Sequence, residues 1–320
     1  MYQFNNKMLI ASICVCSVPY SYADQNHVSI DIVGDKRCIT SNGLPDHSTG
    51  KFPNSGNPNR ISSQSIKLCV STNPVKGAVA QPARGSVGVA LNGVQMRPGT
   101  ADYYDPSSQR GFSRDRSSGW NLEGLGARTL LGMDNNNAHV DNRGLYHYHG
   151  VAPVVAKNLK DNLIGYAADG FPIYYLPQQY RSSHQLKQGV RPSGPGGKYD
   201  GTYNEDWQYV KGSGNLDQCN GTYINGKYSY FATDNYPFFP RCLYGKISND
   251  FVNERGQQER GNHSKAIRKG ARKAPAEALR ACRSKSTGDF CAFNPPHSNR
   301  SLKGKCQTTP ANQLACRPKR

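Results

Sequence analysis

Two stretches of the chain, 133–149 and 216–231, can be laid over each other with a single gap. The alignment matches Asp134 with Asp217, Asn137 with Asn220, Asn142 with Asn225, Gly144 with Gly226, Tyr146 with Tyr228 and Tyr148 with Tyr230. A repeat this short is one supersecondary unit used twice, and its turn residues say which. Asn225-Gly226 is the strongest two-residue hairpin signal, so Ile224 is expected to pair with Lys227 and Thr222 to fall opposite Ser229. Asn142-Arg143-Gly144 fits a three-residue loop with glycine in the left-handed position, pairing Asp141 with Leu145 and placing His139 opposite His147. The extra residue stays inside the loop, so both hairpins keep one register.

That register concentrates imidazoles. Directly opposed residues have Cβ atoms about 5 Å apart, and residues two apart on a strand share a face about 6.6 Å from each other. His139, His147 and His149 therefore meet on one face, with Tyr146 and Tyr148 on the other. The second hairpin carries Thr222, Ser229 and Phe231 at the matching places, so the scaffold does not need the histidines. An isolated His-x-His would read as a packed ladder; the cross-strand third histidine and the contrast between copies favour a metal site. Each neutral imidazole donates a nitrogen at about 2 Å, and three ligands leave one coordination position open. Ligation by nitrogen without thiolate suits copper or zinc. Asp141 and Asp169 are the candidate carboxylate acceptors for an imidazole N–H, or the general base if a metal-bound water reacts; Asp169-Gly170 reads first as a turn. His27, His47, His184, His263 and His297 read as surface residues.

The remaining body continues the strand pattern. Short apolar or aromatic runs at 28–33, 86–91, 145–149, 163–168, 171–176 and 227–232 alternate with turn residues, while 98–119 and 178–214 read as long ordered loops or insertions. With 33 Gly, 20 Pro and 19 Tyr against four Met, composition disfavours a helix bundle. The expected fold class is mainly β, a sandwich- or barrel-like body of short antiparallel strands. A small helical and disulfide-rich module follows it.

Lys7 is the only charged residue before Asp24, and an apolar run over 8–18 is followed by Ser21-Tyr22-Ala23. This reads as a cleaved export signal over 1–23, too short to span a bilayer. Eight cysteines remain outside it, Cys38, Cys69, Cys219, Cys242, Cys282, Cys291, Cys306 and Cys316. An even number with no CxxC in a periplasmic or secreted protein reads as disulfides. Clustering suggests Cys38 with Cys69, Cys219 with Cys242, and two bonds among the last four, whose connectivity stays open.

The formal charge of +18 is uneven. From Lys246 onward there are 17 Lys and Arg against five Asp and Glu, so basicity is mostly a property of the C-terminal part. That part suits acidic cell-envelope polymers as a partner. Its best helix candidate is 264–285, with Pro275 able to start a second piece. The expected organisation is a signal over 1–23, a β-rich domain over 24–245, and a basic, Cys-rich module over 246–320. No nucleophile elbow, phosphate loop, HExxH, nucleotide fingerprint or specific nucleic-acid motif occurs.

Around Tyr146-His147-Tyr148-His149 the sequence resembles the YHYH domain family. The blocks 88–94, 163–174, 186–201, 216–221 and 236–242 carry the likeness, which spans roughly 85–245. The resemblance implies an exported protein without an assigned activity. Many members have a cysteine shortly before the histidine matching His139; here Asn135 and Asn136 stand there, which implies that other contacts replace a disulfide. Residues 281–318 look like a small Cys-rich module appended to various exported bacterial proteins. Three functions follow from the whole reading: an exported protein holding one copper or zinc ion, a hydrolase using the open coordination position, or a polymer-binding protein acting through the basic tail.

Overall fold

In the computed structural model, residues 25–83, 85–252, 275–294, 301–309 and 313–318 are described. The expected export signal over 1–23 and the 264–274 part of the helix candidate lie outside the described residues. The chain divides into two compact units at Val252/Asn253. The body thus runs seven residues beyond the expected boundary at 245. Ser248 Oγ donates to the Cys69 carbonyl and the Asp250 carboxylate accepts from the Cys69 amide. Phe251 is buried in the main core.

Strands β1 (Val28–Val33), β2 (Lys36–Ser41) and β3 (Ile66–Ser71) form an antiparallel sheet. In it Cys38 and Cys69 are cross-strand partners and disulfide-bonded. After β4 (Gln81–Pro82) come β5 (Gly88–Ala90) and β6 (Gln95–Met96), then a small pair, β7 (Tyr103–Tyr104) and β8 (Phe112–Ser113). The first repeated hairpin is β9 (Ala138–Val140) and β10 (Tyr146–Tyr148). Helix α1 (Pro153–Lys157) leads to β11 (Leu163–Ala167) and β12 (Pro172–Tyr175). A second small pair, β13 (His184–Leu186) and β14 (Trp207–Tyr209), precedes the second hairpin, β15 (Gly221–Ile224) and β16 (Lys227–Ala232), and β17 (Cys242–Leu243) pairs with β4.

Eight of these strands form one sheet in the order β15-β16-β12-β11-β5-β6-β10-β9. Its end strands do not pair with each other, so the body is an open sheet, with the β1–β3 sheet contributing Ile39, Leu68 and Val70 to the same core. The mainly β expectation holds. Most strand pairs are antiparallel, as expected, with two exceptions: β10 runs parallel to β6, and β16 parallel to β12. A parallel neighbour requires a long crossover connection, which is the structural role of the two insertions.

The duplication is larger than the hairpins. Gly88-Val89-Ala90-Leu91-Asn92-Gly93 aligns with Gly165-Tyr166-Ala167-Ala168-Asp169-Gly170, and the closing glycines Gly93 and Gly170 both take positive φ, 82° and 95°. Each half of the sheet is a hairpin, a long insertion, and a second hairpin whose last strand returns parallel to the first hairpin. The halves meet at β5 and β11, where Gly88 faces Ala167, Val89 faces Tyr166 and Ala90 faces Gly165. That pairing is self-complementary, as a two-fold relation requires.

The repeated Asp and Tyr have one job in both halves. Asp134 accepts amides of Asn136 and Ala138 on Oδ1 and the Tyr146 hydroxyl on Oδ2 at 2.7 Å. Asp217 accepts amides of Cys219 and Gly221 and the Tyr228 hydroxyl at 2.8 Å. Tyr146 is fully buried, so Tyr146→Phe removes one partner of a buried carboxylate. It is expected to destabilise the body by about 1–2 kcal/mol in urea unfolding; an unchanged midpoint would refute this role.

The C-terminal unit contains a short helix, α2 (Ala276–Arg280), starting after Pro275, and the antiparallel sheet β18 (Phe290–Phe293), β19 (Leu302–Thr308) and β20 (Leu314–Pro318). Its disulfides are Cys282–Cys306 and Cys291–Cys316.

Candidate metal centre

The first hairpin has the expected register, with His139 opposite His147. The loop glycine Gly144 sits at φ 87°, and in the second hairpin Asn225 and Gly226 both take positive φ. Strand alternation then sends Tyr146 and Tyr148 to the core face and the histidines to the other. The imidazole centroids of His139 lie 4.7 Å from those of both His147 and His149, which are 5.0 Å from each other. One ligand nitrogen from each ring falls within 4.8 Å of the other two.

Hydrogen bonds fix two of the tautomers. His139 Nδ1 donates to the Leu131 carbonyl at 3.0 Å, and His147 Nδ1 to that of Leu145 at 3.1 Å. With its proton on Nδ1, each ring keeps a lone pair on Nε2. His139 Nε2 and His149 Nε2 are 3.2 Å apart. Two nitrogens bound tetrahedrally to one ion at about 2.05 Å stand about 3.3 Å from each other, so this spacing fits a shared cation with little adjustment.

The insertion between β6 and β9 roofs the face. It supplies the Leu131 carbonyl, and it lays Gly124 against His149: a Cβ at Gly124 would sit 2.2 Å from His149 Nδ1. His147 and His149 are buried, at 4% and 0% exposure. Burial pushes both imidazoles well below their ordinary pKa, with Arg97 adding to the effect at His147 and His139 at His149. Burial also lowers His139. All three rings are therefore neutral at neutral pH, the state that ligates metal. Gly124→Ala needs no unusual φ, so its effect should be local. It is expected to displace His149 and weaken metal affinity by roughly ten- to a hundredfold, read by competition with a chromophoric chelator; unchanged affinity would show that the roof does not set the ring.

Of the two predicted carboxylates, one lies beside the cluster. Asp141 pairs with Arg97 at 2.9 Å and Arg143 at 3.2 Å, and accepts the amides of Arg143 and Leu145. It closes the hairpin loop and holds Arg97. Asp169 is not brought to the histidines: as Asn92's counterpart it accepts the Tyr230 hydroxyl at 2.8 Å and the Gly245 amide at 2.9 Å, on the tyrosine side of the sheet. Its carboxyl pKa is raised by burial. In the second half Thr222 faces Ser229, and Tyr180 stacks on Phe231 at 3.9 Å between centroids. Aromatic packing fills the place of the imidazoles there.

Several residues around the centre escaped the sequence reading. Glu123, 1% exposed, accepts amides of Leu125 and Gly126 and pairs with Arg241. Arg97, the Glu123-Gly124 pair and Arg241 sit far apart in sequence and carry no local motif. Two histidines read as surface are engaged: His47 Nε2 accepts the Tyr148 hydroxyl at 2.7 Å, and His184 lies between Tyr209 and Tyr236, its pKa lowered to about 4 chiefly by burial. Asn136, the counterpart of Cys219, donates to the Ser48 carbonyl at 2.9 Å. Where the second half has the Cys219–Cys242 disulfide, the first has this side-chain tie.

Comparison with curated proteins and with solved structures gives no match. The family model described as YHYH protein matches residues 66–245, which takes in β3 through β17 and both halves of the sheet. The chain belongs to the YHYH family.

Proposed function

We propose that this chain is an exported protein that holds one copper or zinc ion on His139, His147 and His149. The observation that carries the reading is the convergence of three neutral imidazoles, those of His147 and His149 buried and that of His139 half-buried, with the Nδ1 protons of His139 and His147 committed to backbone carbonyls. Imidazole alone, without thiolate or carboxylate among the three donors, suits these two ions. A divalent charge would sit near Arg97 and Arg241, and the paired carboxylates of Asp141 and Glu123 offset them. Export is supported by the signal-like start and by the pairing of all eight downstream cysteines. Among the described residues no helix is long and apolar enough to cross a membrane. A carrier or sensor role is favoured over hydrolysis, because Asp141 is committed to two arginines and Asp169 lies across the sheet.

The test is elemental analysis of protein produced in an oxidising compartment, for wild type and for His147→Ala with His149→Ala. The reading expects close to one equivalent in the first and a trace in the second. Equal metal content would overturn it.

A further inference from the structure

A groove of about 1110 Å³ lies beside the second half of the sheet, bordered by Tyr166, Tyr174 and the β15–β16 hairpin. Its lining includes the cations Arg37, Lys76 and Lys227 and the single carboxylate Asp161. None of the three cations forms an ion pair among the described residues. Two are held on aromatic rings instead. The Arg37 guanidinium sits 3.8 Å from the centroid of Tyr166, and Lys76 Nζ 3.7 Å from that of Tyr244 and 4.9 Å from that of Tyr228. A ring orients a cation without cancelling its charge. The groove therefore presents a net positive charge, three cations to one carboxylate with two of the cations held in place, which draws an anion and loses little side-chain freedom on binding it.

The two-fold relation supplies an independent observation. In the first half the outer edge of the sheet is covered, because Asn57 and Asn59 both donate to the Val140 carbonyl at 2.9 Å. Tyr223 is the counterpart of Val140, and among the described residues no side chain takes that place; the residue is 60% exposed. The open edge thus adjoins the cationic groove and offers an exposed aromatic ring, set edge to face with Tyr228 at 5.5 Å between centroids, with Thr72, Asn73 and Asn225 nearby for hydroxyl groups.

We infer that this groove binds a segment of an acidic polysaccharide, with its carboxylates on Arg37, Lys76 and Lys227 and a sugar ring on Tyr223. Single-stranded nucleic acid fits less well, since base stacking needs a succession of open rings, and cations lie over Tyr166 and Tyr244. The binding surface assigned here is in the folded body and does not depend on the metal centre or on the basic C-terminal residues.

The experiment is calorimetric titration of the full chain with a short oligogalacturonate, a neutral oligosaccharide of equal length, and a thymidine oligonucleotide. Arg37→Gln with Lys76→Gln and Lys227→Gln should weaken uronate binding at least about tenfold, and Tyr223→Ala by roughly three- to tenfold. A charge-matched control, Lys303→Gln with Lys305→Gln and Arg317→Gln, should change it less than about twofold. Lys227 and Tyr223 are exposed, so Lys227→Gln and Tyr223→Ala keep the test valid if the triple variant unfolds. The proposal is overturned if the tail control loses as much as the groove variant, if the neutral sugar binds as tightly, if the oligonucleotide binds more tightly than the uronate, or if uronate does not bind.

Discussion

Replacing Glu123 with alanine is expected to destabilise the body by about 3–5 kcal/mol, the range for removing one partner of a buried ion pair. Glu123 is 1% exposed and the Arg241 side chain 18% exposed. Without the carboxylate, the guanidinium keeps its Asn204 contact but loses its neutralising charge. The amides of Leu125 and Gly126 lose their acceptor together, so the turn that lays Gly124 against His149 loosens. Metal affinity should therefore fall with stability. Glu123→Gln separates the two effects: its amide oxygen can still accept from Leu125 and Gly126 but it carries no charge for Arg241, so it should recover most of the affinity while stability stays low. Urea unfolding and chelator competition on the same samples check this. A shift under about 1 kcal/mol for the alanine variant would show that Arg241 is solvated without its partner.

Removing the Cys282–Cys306 bond by Cys282→Ser with Cys306→Ser is expected to unfold the C-terminal unit while the body stays intact. Among the described residues its buried core consists of Ala278, Ala315 and the four half-cystines, with Leu279, Ala281, Phe293 and Leu314 half-buried. So small an apolar core supplies little stability by itself. Loss of a native disulfide from such a unit costs about 2–5 kcal/mol, enough to abolish its fold. Hydrogen exchange should show the amides of β19 and β20 losing protection, with β5, β11 and β16 unchanged. Retained protection in β19 would mean that the sheet alone suffices.

The readable and unreadable parts of this chain divide by how local their physics is. Hairpin register was legible because Asn225-Gly226 and Asn142-Arg143-Gly144 restrict turn geometry within four or five residues, and everything that follows from register was legible with it: His139 opposite His147, Thr222 opposite Ser229. Sequence clustering likewise indicated Cys38–Cys69 and Cys219–Cys242. The last four cysteines were not resolvable by proximity, and register shows why. Cys306 and Cys316 face each other on β19 and β20, yet each bonds a partner from another element, Cys282 after α2 and Cys291 on β18.

The larger duplication went unread although its signal was present. Gly88-Val89-Ala90-Leu91-Asn92-Gly93 lies 77 residues before its copy, whereas His147 lies 82 before Ser229. Insertions of unequal length separate the blocks and hide a common period. The parallel pairings depend on those crossovers and leave no local trace. For the same reason the roof of the site was invisible: Glu123, Gly124 and Leu131 reach the histidines only because the insertion between β6 and β9 folds back over its own sheet. Asp169 illustrates the converse, since its turn geometry was readable but the face it serves was not. Its hydroxyl partner Tyr230 lies 61 residues away.

X-ray absorption at the copper and zinc edges puts the proposed three-imidazole site to the most direct test. Wild-type protein, supplied with copper and zinc during oxidative expression, should show three imidazole nitrogens at about 2.0 Å with no sulfur scatterer. The imidazole count should fall from three to two in His149→Ala. A sulfur shell, fewer than two imidazoles, or an ion whose surroundings are unchanged in that variant would contradict the account.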